Sequence, residues 1–121
     1  MRVVSEILVG LVAAIHVYIL IMEMFLWTTE RVRASFGSTP EFAEQTKVLA
    51  ANQGLYNGFL AAGLIWGLLA SDPVGYQVKI FFCVCVVIAG LYGAATANRR
   101  ILVVQALPGA LALAAVLIAG Q

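Results

Sequence analysis

Few residues of this chain can do chemistry, and those that can lie mostly inside apolar stretches. His16 and Glu23 stand in the first stretch, seven residues apart and so within about 20° on a helical wheel, with Trp27 on the same stripe. A second stretch holds Asn52, Gln53, Tyr56 and Asn57, spread over an arc of about 140°. Tyr92 and Thr96, four apart and on one helical face, and Gln105, three residues before Pro108, complete the set. A carboxylate and an imidazole on one stripe can share acid–base work, and amides can position polar atoms of a ligand. Glu23 is the sharpest of these, because a carboxylate within lipid is costly and needs His16 or an amide donor. His16 reads equally as a ligand group or as a partner for a carbonyl on a neighbouring helix. Asn52, Gln53 and Gln105 are each matched by a bland reading, since such side chains stitch membrane helices together at about 1 kcal/mol apiece. Tyr92 and Thr96 lean to that structural reading, and Tyr92 stays in the candidate set.

Other chemistry is excluded by what is missing. One His and one nearby Glu are too few to hold a metal, so no metal site and no cofactor is expected. There is no phosphate-cradling loop, no nucleophile elbow and no basic stripe for nucleic acid. Cys83 and Cys85, two apart on a helix, point to opposite faces and read as small core residues. The spacings Gly54–Gly58 and Gly63–Gly67 permit close helix approach, and packing is their default meaning. Met22 and Met24 read as packing, and Arg99-Arg100 as a topology signal.

These residues must be positioned by membrane helices. Of the 121 residues, 63% are hydrophobic and 11% charged, against about a quarter charged in a soluble domain. With a mean hydropathy of +1.00, the composition excludes disorder, coiled coil and collagen. A net charge of +1 gives no reason to expect a nucleic-acid partner. Four continuous apolar segments, about 3–27, 47–70, 78–97 and 101–120, each approach the ~20 residues that span a bilayer. Alternation typical of barrel strands is absent. The chain therefore reads as all-α: one transmembrane domain over 1–121, a four-helix up-down-up-down bundle with helices at about 3–36, 40–70, 77–97 and 100–120. The first segment is long for a signal peptide and is interrupted by Glu6 and His16, so it reads as a retained helix.

The connections sharpen this. Gly37 suits a helix end, and Ser38-Thr39-Pro40-Glu41 has the hydroxyl cap, Pro and acid of a helix start. Helix one is expected to run through Thr28-Thr29-Glu30-Arg31 to about Phe36, so that helices one and two project into water as a long hairpin. Arg31, Arg33, Lys47, Arg99 and Arg100 oppose Arg2 and Lys79, which places the 28–46 and 98–100 connections in the cytoplasm and both termini outside. Glu23, Asn52, Gln53, Tyr92, Thr96 and Gln105 then share the cytoplasmic half of the membrane. A cavity opening to the cytoplasm and floored near His16 and Asn57 is the economical expectation.

The strings Glu23-Met24-Phe25-Leu26-Trp27-Thr28-Thr29 and Lys47-Val48-Leu49-Ala50-Ala51-Asn52-Gln53-Gly54-Leu55-Tyr56-Asn57-Gly58-Phe59-Leu60-Ala61 resemble a set of small, mostly bacterial membrane proteins catalogued as domain of unknown function 1304. Gly90-Leu91-Tyr92-Gly93-Ala94-Ala95, Arg99-Arg100-Ile101-Leu102 and Pro108 fit the same pattern. The resemblance covers nearly the whole chain and implies a four-helix integral membrane fold, with no activity attached. Residues 47–57 are more distantly similar to the second helix of the membrane-associated eicosanoid and glutathione metabolism proteins, four-helix subunits with a cytoplasm-facing site. The Glu and Pro that follow the Asn there are replaced here by Tyr56 and by no proline, which puts a glutathione site in doubt. The small multidrug-resistance exporters share only a Glu in helix one of a four-helix chain.

Three functional expectations follow. In the first, an inner-membrane, homo-oligomeric protein binds or transports a small amphipathic molecule, with Glu23 alternating between protonated and charged states and Trp27, Tyr56 and Asn57 contacting the ligand. In the second, a membrane enzyme acts on a lipophilic substrate through Glu23 and His16. In the third, the polar cluster only holds together a structural or partner-binding subunit.

Overall fold

A computed structural model describes residues 1–121, and every element in it is helical. Helix α1 spans Arg2–Phe25, α2 Glu30–Phe36, α3 Pro40–Leu69 and α4 Val74–Thr96; a π-helical turn over Leu102–Ala106 leads into α5, Leu107–Ala119. Three stretches, Arg2–Phe25, Val74–Thr96 and Leu102–Ala119, are long and apolar enough to cross a membrane. Helix α3 has the length, at 30 residues, but carries Asn52, Gln53 and Asn57 in its middle and is not among them.

Capping chemistry sets several of the helix boundaries. Helix α3 begins at Pro40 as its sequence demands, with the Thr39 hydroxyl accepting from the Phe42 amide at 3.1 Å. The helix before it stops at Gly37, whose φ of 66° is the left-handed conformation that glycine adopts without penalty. The expected single helix over 3–36, however, is two helices. Residues 26–29 form a turn, and Thr29 starts α2 by accepting from the Val32 amide at 3.5 Å while its own hydroxyl donates to the Leu26 carbonyl at 2.6 Å. Thr28-Thr29-Glu30 carries the same hydroxyl-then-acid chemistry that opens α3, and here too it opens a helix. In the last segment, expected as one helix over about 100–120, Pro108 has no N–H to give, and the backbone widens into the π turn just before it.

The chain forms two compact units. One comprises Met1–Ile15 with Leu60–Gln121, the other His16–Phe59. The first has a core of Val9, Val12, Ala13, Leu64, Cys83, Val86, Ala112 and Val116. Small residues bring its helices close. A methyl on Gly63 would strike the Phe82 ring, one on Gly67 would lie 2.6 Å from the Lys79 Cγ, and one on Gly90 would lie 2.6 Å from the Ala106 nitrogen. The Gly63–Gly67 spacing is thus a packing face for α4. Cys83 is buried in this core and both cysteines are free thiols. Ile7, Phe81, Ile88 and Ile118 are exposed, an apolar exterior that suits lipid and not water.

Helix α4 starts at Val74, slightly earlier than the expected 77. Lys79 lies in the first two turns of its helix, near a segment end as expected, but it is buried there. It is 3% exposed and its Nζ donates to the Gln121 carbonyl at 3.0 Å. Arg2 reaches the side chain of the same Gln121 at 2.9 Å and pairs with Glu6 at 3.2 Å.

Candidate functional site

The second unit is built on the antiparallel packing of residues 16–25 of α1 against α3. Advancing along α3, Thr46 meets Trp27, Gly54 meets Glu23 and Met24, and Gly58 meets Leu20. The fit is tight at Gly54: an added Cβ would lie 3.2 Å from the Leu20 carbonyl oxygen and 2.6 Å from the Met24 Cγ. With no side chain in the way, the two backbones approach closely enough for a short amide to bridge them.

Asn57 makes that bridge. Its Nδ2 donates to the Glu23 Oε1 at 2.7 Å, and donates also to the Gln53 carbonyl at 3.1 Å within its own helix. The second bond orients the amide and the first delivers it to the carboxylate. Glu23, the one carboxylate in the later half of α1, thereby has the amide donor that a carboxylate in an apolar helix requires. Both residues are partly buried. Below this pair, the Trp27 indole N–H donates to the Thr46 hydroxyl at 3.0 Å, and the Trp27 ring meets Phe36 at a centroid distance of 5.0 Å. The Thr46 hydroxyl donates in turn to the Phe42 carbonyl at 2.7 Å.

The remaining candidates have diverse places. His16 is fully buried and engaged within the chain. Asn52 is exposed and folds its amide back on the Val48 carbonyl at 2.9 Å. Tyr56 is exposed and lies against Phe59, with ring centroids 6.0 Å apart. Gln53 contributes its backbone carbonyl to Asn57, while its side chain is exposed. Tyr92 and Gln105 belong to the first unit: Tyr92 is 71% exposed, with its carbonyl taken by the Thr96 hydroxyl at 2.7 Å, and Gln105 sits in the π turn and is engaged within the chain. Sequence reasoning overlooked Thr46, the partner of Trp27, although a lone hydroxyl beside Lys47 at the start of an apolar run was a cue.

The pair's chemistry is limited and specific. A carboxylate with one amide donor keeps a free oxygen and a free lone pair on the bonded one, so it can accept further hydrogen bonds or take a proton. No group of three or more His, Cys, Asp or Glu side chains is arranged to hold a metal ion.

Comparison with known proteins agrees with the resemblance seen in the sequence. The chain is 31% identical over 119 residues to an uncharacterized protein, YpaA, of Lactococcus lactis subsp. lactis (strain IL1403), an alignment covering 97% of each chain. No solved structure matches it. A family model described as "Protein of unknown function (DUF1304)" matches residues 10–117, and the chain belongs to that family.

Proposed function

We propose that this is a multi-pass inner-membrane protein that binds or transports a small amphipathic molecule, with Glu23 exchanging a proton against the ligand. The observation that carries the reading is the 2.7 Å contact from Asn57 to a carboxylate inside an apolar helix. Intramembrane carboxylates are expensive, and those held by an oriented amide are suited to cycling between two states. Helix α3 would be the fourth span of an up-down-up-down bundle. At about 45 Å it is long enough, and its amides would be met by partners inside the protein. Arg31, Arg33, Lys47, Arg99 and Arg100 favour cytoplasmic 28–46 and 98–100 connections, with both termini outside. Four helices enclose little volume, so a second copy would complete the path.

The purified chain in pyranine-loaded proteoliposomes, with ethidium as the amphipathic probe, tests this. Ethidium-dependent proton movement should fall at least tenfold in Glu23→Gln, the scale on which loss of an essential proton carrier acts, while the variant unfolds at the same point as the parent. Equal flux from both proteins would overturn it. A second reading has its own support in the flanking contacts of Gly54 and Gly58 with α1. In that reading the pair is a clasp between helices, and Glu23→Gln changes neither flux nor phenotype.

A further inference from the structure

Away from the Glu23–Asn57 pair, the second unit contains a pocket of about 180 Å³ lined by Tyr18, Met22, Leu26, Arg31, Val32 and Ser35. Tyr18 and Met22, four apart on α1, and Leu26, in the turn that follows it, supply one wall, with Met22 about 100° around the helix axis from Glu23. Val32, 4% exposed, supplies an apolar wall from α2. Arg31 and Ser35, also four apart, supply the polar side, and the Ser35 hydroxyl donates to the Arg31 carbonyl at 3.2 Å.

The Arg31 guanidinium is uncommitted. The two ion pairs of the chain are Arg2–Glu6 and Lys47–Glu44, and the neighbouring Arg33 spends its Nε on the Thr28 carbonyl at 3.1 Å. Helix α1 is apolar enough to cross a membrane and ends at Phe25. The pocket therefore starts within the apolar span and finishes at a cation just past the span's end. Polarity changes along it as it does along a phospholipid, from hydrocarbon to a phosphate at the membrane boundary. A guanidinium offers a phosphate two parallel N–H donors. The pocket is small enough to take a phosphate and its glycerol but not acyl chains. Those would run out over the exposed Phe25 and Tyr18.

We propose that this pocket binds the headgroup phosphate of an anionic phospholipid, selected by Arg31. The proposal rests on α1 crossing the bilayer and is independent of any proton exchange at Glu23.

The test measures phosphatidylglycerol and phosphatidylcholine binding to the full-length protein in neutral detergent, by native mass spectrometry with lipid titration. Phosphatidylglycerol should bind about tenfold more tightly than phosphatidylcholine, and Arg31→Gln should remove that preference, as loss of one charge-assisted contact does. Arg100→Gln, which deletes the same charge elsewhere, should change binding less than about twofold. Met22→Trp keeps the charge but fills the pocket, and should weaken phosphatidylglycerol binding as much as Arg31→Gln. Inorganic phosphate at equal concentration should not displace the lipid. Equal losses in Arg31→Gln and Arg100→Gln would show diffuse attraction and overturn the site. Displacement by inorganic phosphate would make it a free-anion site, and no preference over phosphatidylcholine would remove it altogether. Because Glu23 is not in the pocket, Glu23→Gln should bind phosphatidylglycerol like the parent, whichever way the proton-flux experiment turns out.

Discussion

Adding a single methyl group at Gly54 should loosen the contact between α1 and α3, and the same addition one turn later should not. At Gly54 the new Cβ would lie 2.6 Å from Met24 Cγ, 3.1 Å from Glu23 Cβ and 3.2 Å from the Leu20 carbonyl oxygen. At Gly58 it would meet only the Leu20 side chain, with Cδ1 at 2.6 Å and Cγ at 3.9 Å. Both substitutions gain about 0.8–1.0 kcal/mol from alanine's better helix propensity. The collision at Gly54 is with the Met24 Cγ, and the tight Leu20 oxygen and Glu23 Cβ beside it move only with α1 itself, so the overpacking cost is about 1–3 kcal/mol. At Gly58 the Leu20 tip can rotate away for about 0.5–1.5 kcal/mol. Gly58→Ala should therefore be close to neutral. Gly54→Ala should lose up to about 2 kcal/mol, and the two should differ by about 1 kcal/mol, roughly fivefold in the unfolding constant. Equilibrium unfolding in mixed micelles with rising dodecyl sulfate, followed by circular dichroism, measures this directly. If Gly54→Ala unfolds at the same or a higher dodecyl sulfate fraction than Gly58→Ala, the close approach of the two helices at Glu23 is wrong.

Two further perturbations probe the ends of the elements. Thr29→Ala removes the cap of α2; the 3.5 Å cap bond is long, so the cost should be about 0.5–1 kcal/mol. Hydrogen exchange of amides 30–36 should then accelerate about twofold to fivefold while amides of the Leu60–Gln121 segment stay unchanged. Lys79→Met should leave stability equal or higher, because one carbonyl partner does not offset the cost of burying an ammonium group. Lys79→Ala should instead cost about 1–3 kcal/mol, since it also removes the stem packed on Gly67. A lower unfolding midpoint in Lys79→Met than in Lys79→Ala would refute this account.

Several elements were legible in the residues alone because their determinants are local. Gly37 ends a helix by its backbone freedom and Thr39-Pro40-Glu41 begins one by hydroxyl and ring chemistry, and both act within a single turn. The break over 26–29 has an equally local cause. Continuous hydropathy predicts one helix there, whereas the hydroxyl–acid start at Thr29-Glu30 opens a second. The burial of Lys79 was not legible, because a lysine near a segment end looks the same in sequence whether its ammonium meets water or a carbonyl of the chain. Glu23 stands out in the sequence as a carboxylate in need of a donor. Its donor does not, since His16, Asn52, Gln53 and Asn57 all qualify on type and spacing.

What composition and periodicity determined on their own is that lipid suits this chain, that it is helical throughout, and that Glu23 needs a partner. Those properties are sums over single residues or contacts within one helix. Tertiary structure decided that Asn57 is that partner, because Gly54 lets α1 and α3 meet closely enough for its short amide to reach across. It also turned Asn52 and Tyr56 outward and set Arg31 above an apolar groove. Such choices depend on the rotation and separation of helices far apart in the chain. These are set by which side chains are absent at the contact as much as by which are present.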